Sequence, residues 1–303
     1  MSGVRPRRPC IAICFFGIAR SLEYTIDTIE ANITAPARQI GDVHLFAHFF
    51  LNETIDNPRS GESGDAGDEA CWLLEACHIR REPSWPARVT DLSNLFRTGP
   101  DRHADGYRSL GNLAHQLVSI ATVAEMAKAA APDIVVFARP DLAYHDSLHD
   151  TIVRAADAAA AGEDAVFTPD WQTWRGYNDR FAVCTGSGIA AWAGRIDRVA
   201  DVLEISGGMN GEQLLKHALD ASRVKHRQVS QRASRVRIGG DVKDEDFQNS
   251  AAWERREARR QRVQRLKRGA KRVLRALGIE VWVRESLSKG SFRPKSAERK
   301  YHS

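Results

Sequence analysis

The chain alternates short apolar runs with longer stretches in which apolar residues recur every three or four positions. Residues 11 to 17, "IAICFFG", are almost continuously apolar, which predicts a strand buried on both faces. Gly17 permits a turn. Leu22, Ile26, Ile29 and Ile33 then follow at helical spacing, behind Ser21 as a candidate N-cap. "VHLFAHFF" (43–50) predicts a second strand. Strand, glycine, helix and strand in this order open a parallel α/β sheet.

Further on, "NETIDNPRSGESGDAGDEA" (52–70) is polar, acidic and glycine-rich, and reads as a mobile surface loop over a site. "ACWLLEACHI" fits a strand or a helix equally. Residues 107–130 predict a helix with Leu110, Leu113, Leu117, Ile120 and Ala124 on one face, stopped by Pro132. "DIVVFA" and "DAVFT" predict central strands, and "NDRFAVC" begins as loop and ends as strand. Ser187 can cap a helix through Ile189, Trp192, Ile196, Val199 and Leu203, broken at Gly207 and Gly208. Asn210 and Gln213 form a capping-box pattern for the next helix, and "ASRVRIGG" reads as a last edge strand.

Composition changes the picture at the ends. The 303 residues suit one large α/β domain with an appendage. Basic residues followed by an apolar run at the N-terminus loosely resemble a signal peptide, but no small-x-small site follows, so the expected location is the cytoplasm. The 5 cysteines form no C-x-x-C pair and read as buried thiols. The net charge of +5 conceals a split: residues 253–303 carry 17 Lys+Arg against 5 Asp+Glu, and the preceding body is acidic. The division is therefore set at 1–252 for the globular domain and 253–303 for a basic tail. Val263, Leu266, Ala270, Val273, Leu274 and Leu277 form one helical stripe among arginines and lysines, as an interfacial helix on anionic lipid requires. That assigns residues 253–278 to the inner membrane face. The tail has too few aromatics to stack on bases, which argues against nucleic acid.

The apolar strand at 134–138 runs straight into Arg139, Pro140 and Asp141. Ligands of open α/β sheets bind beyond the carboxyl ends of strands. Gly17 and Arg20 belong to the same edge. Two arginines and a helix N-terminus suit a diphosphate. A carboxylate between them suits a ribose hydroxyl or a divalent cation. No G-x-G-x-x-G and no G-x-x-x-x-G-K-[ST] occurs, which argues against a Rossmann dehydrogenase and a P-loop NTPase. Because proline holds the backbone extended, Arg139 and Asp141 are expected to face a ligand rather than each other.

The segments "CFFGIARSLEYTIDTIEANITAP", "VHLFAHFF", "VVFARPDLAY", "WRGYNDRFAVCTGSGIAAWAGRID" and "NGEQLLKHAL" follow one another in an order that resembles GT-A-like bacterial glycosyltransferases of surface-polysaccharide synthesis. The group most similar is the one whose strand ends in R-x-D, of the WavE type in lipopolysaccharide synthesis. The resemblance covers most of residues 10–220. It implies a GT-A-like, mostly parallel sheet flanked by helices, with the donor half near 11–150 and the acceptor half near 165–225. It implies donor-binding roles for Gly17, Arg20, Arg139 and Asp141. Asp141 matches the second aspartate of a D-x-D motif, the ligand of Mn²⁺ or Mg²⁺, while Arg139 stands where the first would be; that departure weakens the case for a metal. Substituting Arg139 or Asp141 is expected to abolish turnover with the fold intact.

"DWQTWRGYNDRFA" gathers Trp171, Trp174, Tyr177, Asn178 and Asp179 in one loop. Aromatic rings stack on sugars and amides bond their hydroxyls, so these form the expected acceptor or sugar site, against the alternative of an aromatic mini-core. Asp179 and Glu212 are the candidate catalytic carboxylates. Glu212 also has a plain structural reason, since a carboxylate in a helix's first turn gains about 0.3–1 kcal/mol from the dipole. His44, His48, His145 and Asp146 are expected to be structural, and "DED" (244–246) a solvated charge run. The resulting expectation is a transferase taking a sugar from a nucleotide sugar to a glycan or lipid-linked acceptor. The alternative is a degenerate scaffold of the same fold that binds a membrane or nucleic-acid partner through its tail.

Overall fold

In the computed structural model the residues described are 7–51, 54–57, 62–65, 68–74, 77–101 and 104–248, with 256, 259 and 263 beyond them. Strand β1 (Cys10–Gly17) is the buried opening strand. Helix α1 (Leu22–Ile29) passes through one π-helical turn, Glu30–Thr34, into α2 (Ala35–Ile40); Pro36, just after that turn, has no N–H to continue the regular i→i−4 ladder. Ser21 occupies the N-cap position of α1 but makes no cap; its hydroxyl donates instead to the Val236 carbonyl at 2.8 Å.

After β2 (Asp42–Leu51), the acidic segment is more than loop: β3 (Thr54–Asn57) and β4 (Glu62–Asp65) pair antiparallel within it. A 3-10 turn (Asp68–Leu73) leads to β5 (Cys77–Pro83), so "ACWLLEACHI" holds both a helical turn and a strand. Helices α3 (Ala87–Phe96) and α4 (Arg108–Ala127) follow, then β6 (Ile134–Ala138), β7 (Leu142–Tyr144), α5 (His149–Ala160), β8 (Ala165–Pro169) and β9 (Ala182–Thr185). The helix expected from Ser187 to Leu203 is divided into α6 (Ser187–Ala193), a 3-10 turn and α7 (Val199–Ser206), ending at Gly207 with φ +61°. Helix α8 (Gly211–Ser222) is capped as expected, the Asn210 side chain accepting from Gln213 N at 2.9 Å. Strands β10 (Lys225–Val229) and β11 (Ala233–Arg235) complete the order.

The main sheet has seven strands in the order β10-β8-β9-β6-β1-β2-β5. All its pairings are parallel except those of β9, which runs against both β6 and β8. The expected edge strand "ASRVRIGG" lies elsewhere: β11 pairs with β7 in a separate ribbon. Alternation along β1 divides the core. Ile11, Ile13 and Phe15 pack with Leu22, Ile29, Ala37 and Ile152 on one side. Ala12, Cys14 and Phe16 pack with Ile120, Trp192 and Leu219 on the other. The architecture is thus a mostly parallel α/β sheet with helices on both faces.

This topology builds one functional edge. The carboxyl ends of β1, β6 and β8 lie along it. Because β9 is reversed, with Ala182 opposite Phe137, its amino end and the preceding Asp179 and Arg180 lie there too. The chain divides into two compact units, Met1–Ser250 and Ala251–Ser303. In the second, Arg256, Arg259 and Val263 are helical and exposed. The rest of the basic tail, and with it the expected lipid-facing helix over 253–278, lies outside the described residues. No helix among the described residues is long and apolar enough to cross a membrane.

Candidate active site

Gly17 ends β1 at φ +107°, in the left-handed region that favours glycine, and its N–H donates to Ser119 Oγ at 2.9 Å. Ser119 is held in turn by the backbone carbonyl and Nδ1 of buried His48, which is structural as expected. Burial lowers the His48 imidazole to about 4 and keeps it neutral.

Beyond β6, Arg139 and Asp141 do face each other. Arg139 Nε donates to Asp141 Oδ1 at 2.8 Å and Nη2 to Oδ2 at 2.7 Å. The expectation that proline would keep the pair apart is therefore corrected: the chain turns at Pro140–Asp141, before β7, and this brings the carboxylate back to the Arg139 guanidinium. Arg20 adds a third bond, Nη2 to Asp141 Oδ2 at 2.8 Å. Its other arm reaches Glu62 of β4, which Arg237 also binds. Asp141 is 3% exposed. Although burial opposes ionisation, the charges of Arg139 and Arg20 outweigh it and hold this carboxyl well below the usual carboxylate range.

A divalent cation does not fit that arrangement. Both oxygens of Asp141 already accept from guanidinium groups, so an ion there would meet two positive charges. No group of three or more His, Cys, Asp or Glu among the described residues is placed to hold a metal. Asp141 is in consequence a poor match for the metal ligand of a D-x-D site.

Asp179 lies against the first turn of α8, the turn that carries Glu212: a Cβ on Gly211 would meet Asp179 Oδ2 at 3.1 Å. Asp179 accepts from Gln116 of α4 at 2.8 Å, and the Arg195 guanidinium lies 3.9 Å from it. Its charge also acts on Arg139, Arg180 and Glu212. Glu212 lies in the first turn of α8. Burial, then repulsion by Asp179, lifts its carboxyl from 4.5 to about 8. Its backbone is fixed by the Tyr177 N–H, which donates to Glu212 O at 3.0 Å. A carboxyl group held protonated into the neutral range can take part in proton transfer at a site of this kind.

The aromatic loop divides. Trp171 is fully buried, its indole N–H donating to Gln231 O at 2.9 Å and its edge against Phe247. Asn178 is buried as well and pins the loop, donating to Trp171 O at 2.6 Å and accepting from Arg180 N at 3.0 Å. The sugar-binding expectation is corrected for both, because each is used up in holding the chain; a small aromatic core won over a stacking platform. Tyr177 stacks on His226 at 3.6 Å and donates to Asp220, whereas Trp174 is 46% exposed. Trp174 is thus the ring of this loop left on the surface.

Several members of the site carried little signal in the sequence. Glu62 sits in a loop-like run of glycines and acids. Arg195 is fully buried in the apolar segment "AWAGRID", with no hydrogen bond at Nε and only the 3.9 Å ion pair with Asp179 at Nη2, and burial lowers its guanidinium to about 10. An arginine inside an apolar helical stripe was the available clue. The supposedly solvated "DED" run holds Glu245, which is 6% exposed and accepts from Arg235 and Gln172; only its flanking aspartates are exposed.

No protein-family model and no curated protein matches the chain. Solved structures similar to it include mouse xyloside xylosyltransferase 1 in its apo form, at 9% identity and TM-score 0.41, covering 72% of this chain and 84% of that one. An active-site mutant of LgtC is similar at 10% identity and TM-score 0.40, covering 72% of each chain. Both likenesses are distant, and the chemistry of the site has to be read from its own geometry.

Proposed function

We propose that the chain is a glycosyltransferase, which moves a sugar from a nucleotide-sugar donor to a hydroxyl group of a surface glycan or lipid-linked precursor. The observation that carries this reading is the Asp179–Glu212 pair beside an arginine-rich strand edge. At pH 7 a group titrating near 8 is about one-tenth ionised, which suits a base that takes a proton from a weakly acidic hydroxyl. Glu212 is the proposed base. The acceptor oxygen bonds to the anomeric carbon as its proton passes to Glu212, and the bond from that carbon to the diphosphate oxygen breaks. The leaving nucleoside diphosphate keeps the electron pair. Arginine charge at the ends of β1 and β6 offsets the charge that develops there. Asp179, held by Gln116 and Arg195, keeps the proton affinity of Glu212 high.

In this reading Gly17, Arg20 and Arg139 belong to the donor side and Trp174 to the acceptor side, with Asp141 holding the two arginines in place. The basic tail is proposed to bring residues 253–278 to anionic lipid, where lipid-linked acceptors lie. Calorimetry with a panel of nucleotide sugars tests the central point: at least one should bind. Absence of binding by every member, with and without Mn²⁺, removes the reading.

The rival, a scaffold of the same fold, draws support from the sealed Arg20–Asp141–Arg139 triangle, which resembles a purely structural lock. Against it stand the placement of Asp179 against the first turn of α8, which carries Glu212, and the raised proton affinity of Glu212 itself.

A further inference from the structure

A second set of cations lies outside the Arg20–Asp141–Arg139 triangle. After β11 the chain folds back on itself. Val236 bridges Val242, Arg237 N donates to Asp241 O at 2.9 Å, and Lys243 N donates to Arg235 O at 2.8 Å. Gly240, at φ +84°, closes the turn. This register sets Arg235 directly across from Lys243. Side chains so placed share a face, about 5 Å apart at Cβ, and like charges there repel. Arg180 adds a third cation, only 11% exposed in its side chain. Its guanidinium donates to the neutral Gln172 Oε1 at 2.6 Å, and Glu245 lies 3.9 Å away.

One carboxylate, Glu245, lies between the two arginines. Glu245 accepts from Arg235 Nε at 2.6 Å. Lys243 is exposed and makes no side-chain hydrogen bond or ion pair among the described residues. Arg139 and Arg237 lie close enough to add their fields. Burial, then Arg235, lowers the Arg180 guanidinium to about 10, and the same two causes lower the Lys243 amine. A fold that crowds cations at this cost gains most from a ligand of opposite charge.

We infer that Arg180, Arg235 and Lys243 form a seat for a phosphoryl group of a phosphate-bearing ligand. Around Asp141 three guanidinium groups, of Arg20, Arg139 and Arg237, meet two carboxylates, Asp141 and Glu62, whereas this cluster sets three cations around Glu245 and has an exposed side. Arg235 gives Nε and Nη2 to Glu245, so its Nη1, the remaining donors of Arg180 and the Lys243 ammonium are the groups that match the oxygens of a phosphate. The phosphate can come from a nucleoside diphosphate or from a phosphorylated acceptor. The seat does not depend on glycosyl transfer being the reaction.

The test is calorimetry of the full chain in EDTA at fixed ionic strength. The probes are inorganic pyrophosphate, a nucleoside diphosphate and the matching nucleoside. Pyrophosphate should bind the native chain, and Lys243→Glu should weaken it by about tenfold or more. Lys243→Arg should retain most of the affinity, and Lys128→Glu, in the exposed turn just after α4, should change nothing. Because Lys243 is exposed, circular dichroism should be native in all three. If the nucleoside diphosphate loses affinity together with pyrophosphate, the seat belongs to the donor. If only pyrophosphate loses it, the seat belongs to a phosphorylated acceptor. No pyrophosphate binding by the native chain, or equal affinity in Lys243→Glu, overturns the inference.

Discussion

The main chain of Gly176 lies against the carbonyl of Glu212 so closely that a Cβ at residue 176 would meet Glu212 O at 1.9 Å. The same contact surface carries the Tyr177 N–H bond to that carbonyl. The loop before β9 therefore sets the position of the first turn of α8, and with it Glu212. Gly176→Ala should force the two segments apart. The expected result is a loss of about 1–3 kcal/mol in stability, typical of overpacking, with turnover reduced further than that loss explains. Thermal unfolding and initial rates of the same preparation check both.

Glu212 gives the site a pH signature. If it is the base, the rate rises with pH through about 8. Glu212→Gln should remove that limb and lower the rate at every pH. Stability has the opposite slope. A carboxyl lifted from 4.5 to about 8 in the fold contributes fully below about 4.5, and its contribution is lost as pH rises through about 8. Native protein should therefore lose stability relative to Glu212→Gln between these values, as urea unfolding at several pH values will show.

Asp141 behaves in the reverse sense. Held below its usual range by Arg139 and Arg20, it contributes stability above about 4 that is lost as the medium becomes more acid. Asp141→Ala leaves two guanidinium groups facing each other in a buried place, so it should cost about 3–5 kcal/mol. The expectation of an intact fold after this substitution is thus revised, while Arg139→Ala, at a side chain 21% exposed, should be milder. Chemical denaturation distinguishes the two.

A donor seat built from guanidinium groups should work without a divalent cation. Turnover should persist in EDTA and change little on adding Mn²⁺ or Mg²⁺. Complete loss in EDTA, restored by either ion, would contradict the charge assignment around Asp141.

The order of elements was legible where burial is two-sided or a helix has a full apolar stripe, as in β1, β6 and α4. The Asn210 cap was legible because its chemistry is local. Strand β10, "KHRQV", was not, because an edge strand with polar side chains has no apolar pattern to read. Helix α5 was missed because it buries only Thr151, Ile152, Ala155 and Ala158, a stripe too slight to stand out. In the candidate site, the sequence drew attention to Arg139 and Asp141 at a strand's carboxyl end, to Asp179 in an aromatic, polar loop and to Glu212 in the first turn of a capped helix. Their partners were not legible. Glu62, Arg195, Arg235 and Glu245 join them only through contacts between segments distant in sequence, and Trp171 reads equally well as a sugar platform or as core.

The most direct test of the account is release of nucleoside diphosphate from whichever nucleotide sugar binds, measured for the native chain and for Glu212→Gln at pH 8. The account predicts turnover by the native chain and a loss of at least about a hundredfold in the variant, within the usual reach of general base catalysis, with donor affinity retained. Equal rates in the two proteins, with native circular dichroism in both, would contradict it.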